Sequence, residues 1–252
     1  MDFFVIIKFN IYLAKNKILC YKYDIYSYIG GIQMKTTTIY LIRHSTRFDN
    51  KLIKTYKTNQ SKKIRFEKII LSVEGEKRAE ILSNQKELEN LDVVYTSNCV
   101  RTLQTAKYIL EKQNLKVHID QRFDERRTGK INEDEVPNWF EVQYKDKNYK
   151  TVGGESQLDV RKRFNKAFNE VIEKHKGKRI AIFSHGLAIT FFLLKWCELL
   201  DVNVDKRIKL AYKDNILIDK VVDAPEVFKL TLNEDNELIE IKNIEFKELN
   251  NK

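Results

Sequence analysis

From Thr36 onward, short β-branched apolar runs alternate with segments of helical period. That alternation restricts the chain to folds in which helices cover a mainly parallel sheet. Thr38–Ile42 (TIYLI), Asp92–Ser97 (DVVYTS), Val117–Phe123 and Arg179–Ser184 (RIAIFS) read as strands. Between them, Ala79, Leu82 and Leu88 mark an amphipathic helix within Val73–Leu91. Val100, Leu103, Ala106 and Leu110 share one helical face, and Val160, Phe164, Ala167, Phe168, Val171 and Ile172 share another. Ser156 and Asp159 form a capping box ahead of that last helix. Leu187–Leu200 is apolar nearly all round and reads as a buried helix; Val227–Leu232 and Glu237–Phe246 flank Asn233–Asn236 as a hairpin. The predicted fold is a three-layer α/β/α sandwich with a mainly parallel central sheet and a C-terminal β-hairpin. It forms one domain over residues 35–252, since no repeat or Pro/Gly/Ser linker interrupts it.

Residues 1–34 read differently, as an N-terminal extension. They are aromatic and β-branched, broken by Lys8, Lys15, Lys17 and Lys22. Their longest apolar run, Phe3–Ile7, is far short of the roughly 20 residues that a membrane helix needs. Asp2 precedes that run and no small-residue cleavage site follows, unlike a secretory signal. Met34 leads straight into the first core strand and is a candidate start. The whole chain carries a formal charge of +10, which invites a nucleic-acid reading. Most of that excess is Lys scattered among Glu and Asp, with no aromatic–basic stripe, so no nucleic-acid partner and no membrane partner is expected. Three Cys in 252 residues exclude a disulfide framework, and the expected location is cytoplasmic.

Ligands of parallel α/β sheets bind beyond the carboxyl ends of the strands. Two of the four His sit there: one strand ends in Arg43-His44 and another in Ser184-His185-Gly186. A third runs through Thr96-Ser97 and is followed by Arg101. Arg offers a planar fork of donors that matches phosphate oxygens. Two such cations around a phosphoryl group would also keep a nearby His unprotonated, hence nucleophilic. A helix starting at Gly186 would add its positive end. No GxxxxGK[ST] loop is present, which excludes ordinary nucleoside-triphosphate binding. His118 and His175 have no Cys or His at zinc spacing, so neither a metal nor a cofactor is expected.

These segments are similar, in order, to motifs of the histidine phosphatase superfamily, in its phosphoglycerate mutase-like branch. Leu41-Ile42-Arg43-His44 with Asn50 resembles the opening R-H-G-E-[ST]-x-W-N. Leu71-Ser72, Gly75 and Ala79 resemble LSxxGxxQA; residues 97–106 (SNCVRTLQTA) resemble SPLxRTxQTA. Phe123-Asp124-Glu125 with Gly129, Gly153-Gly154-Glu155-Ser156 with Arg163, and Ser184-His185-Gly186 complete the series over roughly residues 36–246.

The resemblance implies a metal-independent phosphatase that hydrolyses a phosphomonoester through phosphohistidine on His44. Arg43, Arg101 and His185 would clamp the phosphoryl oxygens, with a hydrogen bond from Asn50. Glu125 would protonate the leaving oxygen and then deprotonate water. The chain departs from the pattern at Ser45 (usually Gly), Asp49 (usually Trp) and Asn98-Cys99 (usually Pro-Leu). Arg47 resembles the RHGxRxP pattern of the superfamily's acid phosphatases, yet Gly186 stands where that branch has its Asp; Arg47 is an additional candidate for substrate binding. Lys51, Lys54, Lys57, Lys62, Lys63 and Arg65, without an intervening acid, would steer anions or simply form a solvated loop. The alternatives are a phosphoglycerate mutase and a non-catalytic phosphate binder. The first is disfavoured because ERRTGKINEDEVPNWF lacks the mutase ERHYGGLQG start; the second, because His44, Arg101, Glu125 and His185 are all present. Specificity is expected from residues 51–70 and 130–152.

Overall fold

A computed structural model describes residues 36–48, 66–130 and 138–250, together with two pairs of two-residue strands within residues 13–33. The chain divides into two units, Met1–Lys35 and Thr36–Lys252. In the first, Leu13–Ala14 pairs with Lys17–Ile18 and Tyr28–Ile29 with Ile32–Gln33, both antiparallel. The rest of the extension, the proposed start at Met34 among it, lies outside the described residues.

The second unit is built on a six-stranded sheet. Its strands are β1 (Thr37–Arg43), β2 (Val93–Thr96), β3 (Val117–Ile119), β4 (Arg179–Ser184), β8 (Val227–Leu232) and β9 (Leu238–Ile244). The order is β9-β8-β1-β4-β2-β3. The four strands from β1 to β3 run parallel, and the β8–β9 hairpin closes the other edge antiparallel. This is the architecture the alternation predicts.

Side chains of β1 alternate strictly between two cores. Ile39 and Leu41 face α4 (Gln157–Lys174) and α5 (Gly186–Leu193), where Phe164, Phe168, Phe191 and Phe192 pack with Tyr144 of α3 (Trp139–Lys145). Tyr40 and Ile42 face α1 (Val73–Ser83) and α2 (Val100–Gln113) through Leu82, Ala106 and Ile109. Burial on both faces explains why β1 and β4 are near-continuous apolar runs rather than alternating ones. The capping box holds: Ser156 Oγ accepts from Asp159 N at 3.1 Å, and Asp159 Oδ2 accepts from Ser156 N at 3.0 Å.

Three expected elements differ. Helix α1 stops at Ser83, where the Ser83 hydroxyl and the Asn84 amide both bond back to Glu80 O. Such local bonds compete with the helical ladder, and a 3₁₀ turn, Lys86–Leu88, then carries Leu88 into the core. The strand expected over Val117–Phe123 is strand only to Ile119; Gln121–Phe123 is a 3₁₀ turn capped by Asp120. The run Leu187–Leu200 is helix only to Leu193. Glu198–Val202 is strand β5, which pairs with β6 (Ile208–Tyr212), itself paired with β7 (Asn215–Lys220). This three-stranded sheet sends Val202, Ile208, Leu210 and Ile218 into the first core. Short apolar runs do not by themselves distinguish helix from strand.

Two contacts fasten α1 to the end of β1. Ser72, the cap of α1, donates its N–H to Thr46 O at 3.0 Å. One turn on, a Cβ at Gly75 would lie 1.9 Å from Thr46 O, so only glycine allows this approach. Arg78 then donates to Ala224 O and to Leu249 O, both at 2.8 Å, the latter in α6 (Lys247–Asn250). Because the obstacle at Gly75 is backbone, Gly75→Ala is expected to lower unfolding stability by about 1–3 kcal/mol. Denaturant melts check this; an unchanged midpoint would contradict the close approach.

Candidate active site

Register brings the strand ends together. Arg43 pairs with Ser184 across β1 and β4, and Thr96 pairs with Phe183 across β2 and β4. The chain leaves all three strands at one level, with His44 N–H on Ser184 O and Ser97 N–H on Phe183 O, each at 3.0 Å. His44, Ser97 and His185 therefore emerge side by side. The His44 and His185 rings meet edge to face with centroids 5.1 Å apart.

His44 is 5% exposed, and its Nδ1 lies 2.7 Å from Ser45 O. A carbonyl only accepts, so Nδ1 carries the proton and Nε2 keeps its lone pair. Burial, then the charges of Arg101 and Arg43, hold this imidazole well below its ordinary pKa. The ring is thus neutral and in one tautomer. Ser45 N–H donates to Thr105 Oγ1 at 3.0 Å, which fixes the carbonyl that fixes the ring.

Arg101 is 1% exposed and rests on the Phe66 ring at 4.4 Å. It donates to Phe66 O at 3.0 Å and, through its other terminal nitrogen, to His185 Nδ1 at 2.9 Å. His185 must accept there, so its proton sits on Nε2 and goes to Ser97 Oγ at 2.8 Å. Ser97 Oγ lies 2.9 Å from Thr102 Oγ1, which in turn donates to Cys99 O at 2.7 Å. Both ring nitrogens of His185 are engaged in this chain. The ring of His185 thereby orients Arg101. Burial and the charge of Arg101 hold His185 well below the usual imidazole range, consistent with a neutral acceptor.

Arg43 donates to the carbonyls of Val222 and Asp223. A Cβ on Gly186 would come within 3.3 Å of Arg43 Nε, so the glycine lets the guanidinium lie against the start of α5. The Nε atoms of Arg43 and Arg101 are buried and have no hydrogen-bond partner among the described residues. They are two donors from two cations, suited to the oxygens of an anion.

Glu125 occupies the positive end of α5. Its Oε1 accepts from Arg126 N and Ala188 N, both at 2.9 Å, and its Oε2 accepts from Leu187 N at 3.4 Å. The helix N-terminus expected to face a phosphate therefore serves this carboxylate. The loop carrying it is clamped from behind. Arg163 donates to the carbonyls of Arg122 and Asp124 at 2.8 Å and of Glu125 at 3.2 Å, while it grips Glu155 through two nitrogens. A cavity of about 900 Å³ opens beside Glu125, lined also by Phe66, Cys99, Arg126, Lys130 and Gly153; His44 is not part of its lining.

Arg47 is exposed and bridges Leu71, and its charge depresses the pKa of His44. Asn50, Asp49 and the basic stretch 51–65 lie outside the described residues. Ser45 is fully buried, and its hydroxyl has no hydrogen-bond partner among the described residues. Burial pushes the Cys99 thiol up to about 11, which keeps it protonated. The sequence reading gave Ser97, Thr102, Gln104 and Thr105 no role. Gln104 ties α2 to Leu71 N at 2.8 Å and to Glu76 at 3.0 Å. The signal available was their shared motif with Arg101, at a spacing that turns them toward three different neighbours.

Residues 39–246 match the profile of the histidine phosphatase superfamily, branch 1. Phosphoserine phosphatase 1 of Hydrogenobacter thermophilus is 31% identical over 148 residues, covering 54% of this chain and 67% of that protein. The fold is similar to that of mycobacterial glucosyl-3-phosphoglycerate phosphatase, at 16% identity and a TM-score of 0.58, over 82% of this chain and 97% of the other. The alpha-ribazole phosphatase from Shigella flexneri is likewise similar, at 16% identity and a TM-score of 0.57, over 82% and 96%. The chain belongs to the histidine phosphatase superfamily, branch 1.

Proposed function

We propose that this chain is a metal-independent phosphomonoesterase that works through phosphohistidine on His44. The observation that carries the reading is the state of His44: neutral, held in the Nδ1–H tautomer, and set beside the buried Arg101 and half-buried Arg43, whose Nε–H groups have no hydrogen-bond partner among the described residues. The Nε2 lone pair attacks phosphorus, and the bond to the leaving oxygen breaks as the N–P bond forms. Arg43 and Arg101 neutralise charge on the phosphoryl oxygens, the role a metal plays elsewhere. His185 orients Arg101 and joins it in clamping the phosphoryl oxygens. Arg47 adds positive potential, and Asn50 a hydrogen bond.

Glu125 gives its proton to the leaving oxygen, then takes one from the water that attacks phosphohistidine. That second step breaks the N–P bond, releases inorganic phosphate and restores neutral His44. Oε1 already accepts two short backbone bonds, so Oε2, with one long bond, is the oxygen with capacity for the proton. The related phosphatases support a small phosphorylated substrate, and one neighbouring fold, again a mycobacterial glucosyl-3-phosphoglycerate phosphatase, has been solved with inorganic phosphate. A cytoplasmic location accords with Cys99 and Cys197 as buried free thiols. Among the described residues no helix is long and apolar enough to cross a membrane.

Hydrolysis of p-nitrophenyl phosphate in EDTA tests the reading. His44→Ala is expected to reduce kcat by at least about 10³-fold, the scale of losing a nucleophile. Activity that survives the substitution, or that needs a divalent cation, would defeat it. Glu125→Gln is expected to slow alkyl phosphates by about 10²–10⁴-fold. It should slow p-nitrophenyl phosphate much less, because nitrophenolate leaves without a proton; equal losses would remove Glu125 from the acid role. The lowered pKa of His44 makes a third expectation. The base form persists below pH 6.5, so kcat should show no acid limb centred near that value; a limb there would mean the ring titrates normally.

A further inference from the structure

Two hydroxyl groups lie in the first core among aromatic rings. Tyr144, in the last turn of α3, is 5% exposed, and Thr190 of α5 is fully buried. A hydroxyl in such surroundings costs stability unless it is hydrogen-bonded. The Tyr144 ring packs edge to face on Phe191, centroids 5.0 Å apart, and against Phe140 at 5.2 Å. Its hydroxyl lies 2.7 Å from Thr190 Oγ1. Thr190 Oγ1 in turn lies 2.9 Å from Gly186 O and 3.3 Å from Leu187 O. Carbonyls only accept, so Thr190 commits its one proton to this first turn of α5. Tyr144 is therefore the donor between the two hydroxyls. Burial holds the phenol above its ordinary pKa, so that proton stays in place.

The two carbonyls that Thr190 reaches belong to the peptide groups that hold the acid. In a peptide group the carbonyl of one residue and the N–H of the next share one conjugated plane. Gly186 C=O is joined in this way to Leu187 N–H, which donates to Glu125 Oε2 at 3.4 Å. Leu187 C=O is joined to Ala188 N–H, which donates to Oε1 at 2.9 Å. The shortest route runs from Tyr144 through Thr190 and the Gly186–Leu187 peptide to Oε2, the oxygen with capacity for the proton. Hydrogen bonds in series polarise one another, so a donor on the carbonyl side strengthens the N–H on the other. His185, the N-cap of α5, has both ring nitrogens engaged elsewhere and does not cap the helix. The first turn is therefore held by Thr190 on one side and Glu125 on the other. Gln157 Nε2 donates to Tyr144 O at 3.2 Å, which fixes the residue at the head of the relay.

We propose that Tyr144 and Thr190 are positioning residues for Glu125: their hydroxyls, linked in series, set the geometry and donor strength of the first turn of α5 and so govern how well Glu125 protonates the leaving oxygen. They act through the backbone of α5. The proposal rests on the acid role of Glu125 proposed above. It also gives α3, which lies within the stretch 130–152 expected to set specificity, a direct line to the chemistry.

The experiment reads the ratio of kcat/KM for phenyl phosphate to that for p-nitrophenyl phosphate, two substrates of similar shape, on the full chain. Phenolate, with a conjugate acid of pKa about 10, needs a proton as it leaves; nitrophenolate does not. This rate constant reports phosphohistidine formation, the step in which Glu125 is the acid. Tyr144→Phe and Thr190→Val are each expected to lower the ratio at least about fivefold, a fraction of what a general acid supplies. Thr190→Ser keeps the hydroxyl and should stay within about twofold of wild type, and the double variant should lose no more than the worse single, since links in series fail together. Thermal melts establish folding. Equal losses on both substrates in folded Tyr144→Phe and Thr190→Val would mean that the bond only fastens α3, and would overturn the proposal. Wild type supplies a measurement that needs no variant: the Tyr144 hydroxyl proton should exchange slowly enough to appear in NMR spectra. Rapid exchange overturns the relay even if no variant folds. Glu125→Gln separates the two readings. If it lowers the ratio while Tyr144→Phe and Thr190→Val do not, the relay alone falls; if it leaves the ratio unchanged, the acid role falls and the relay with it.

Discussion

Arg101 is a fully buried cation whose hydrogen bonds go to neutral partners, a backbone carbonyl and the Nδ1 of an uncharged histidine. Isolating a charge in this way is unfavourable, and the surrounding structure is arranged to enforce it. Phe66 covers one face of the guanidinium. His185 can accept from Arg101 only because Ser97 takes the proton on its other nitrogen, and Ser97 can do so because Thr102 and the Cys99 N–H fix its hydroxyl. Each link is a short side chain at a strand end or in the first turn of α2. Burial of each ring, and then the charge of this same cation, hold both His44 and His185 neutral.

Much of this was legible in the chain. The strand ends that carry Arg43-His44, Thr96-Ser97 and Ser184-His185 follow from apolar runs bounded by polar residues. Parallel pairing then makes their convergence a matter of register. The capping box at Ser156 and the β8–β9 hairpin depend on local chemistry, which sequence reports well. Order among six short motifs carried the family assignment that the profile match establishes.

What was not legible depends on contacts between distant segments. Nothing near Glu125 in sequence announces that Leu187 and Ala188 will donate to it, because those donors are backbone groups. The engagement of both His185 nitrogens needs Ser97 and Arg101 in three dimensions at once. The tautomer of His44 depends on its neighbour's carbonyl, which is present in every peptide and so carries no signal. The sheet of β5, β6 and β7 hid behind Leu187–Leu200, whose apolar composition suits a helix and a strand alike.

The fastening of α1 has a consequence for how His44 is held. Gly75 presses the helix onto Thr46, two residues from His44, and three residues on Arg78 reaches both Ala224 and Leu249. Ala224 O also accepts from the Thr46 hydroxyl, and the neighbouring carbonyls of Val222 and Asp223 hold Arg43. The helix at Lys247–Asn250 and the loop that follows β1 therefore share a single mooring. A fusion or cut near Leu249, though remote from the chemistry in sequence, pulls on the same line that aims His44.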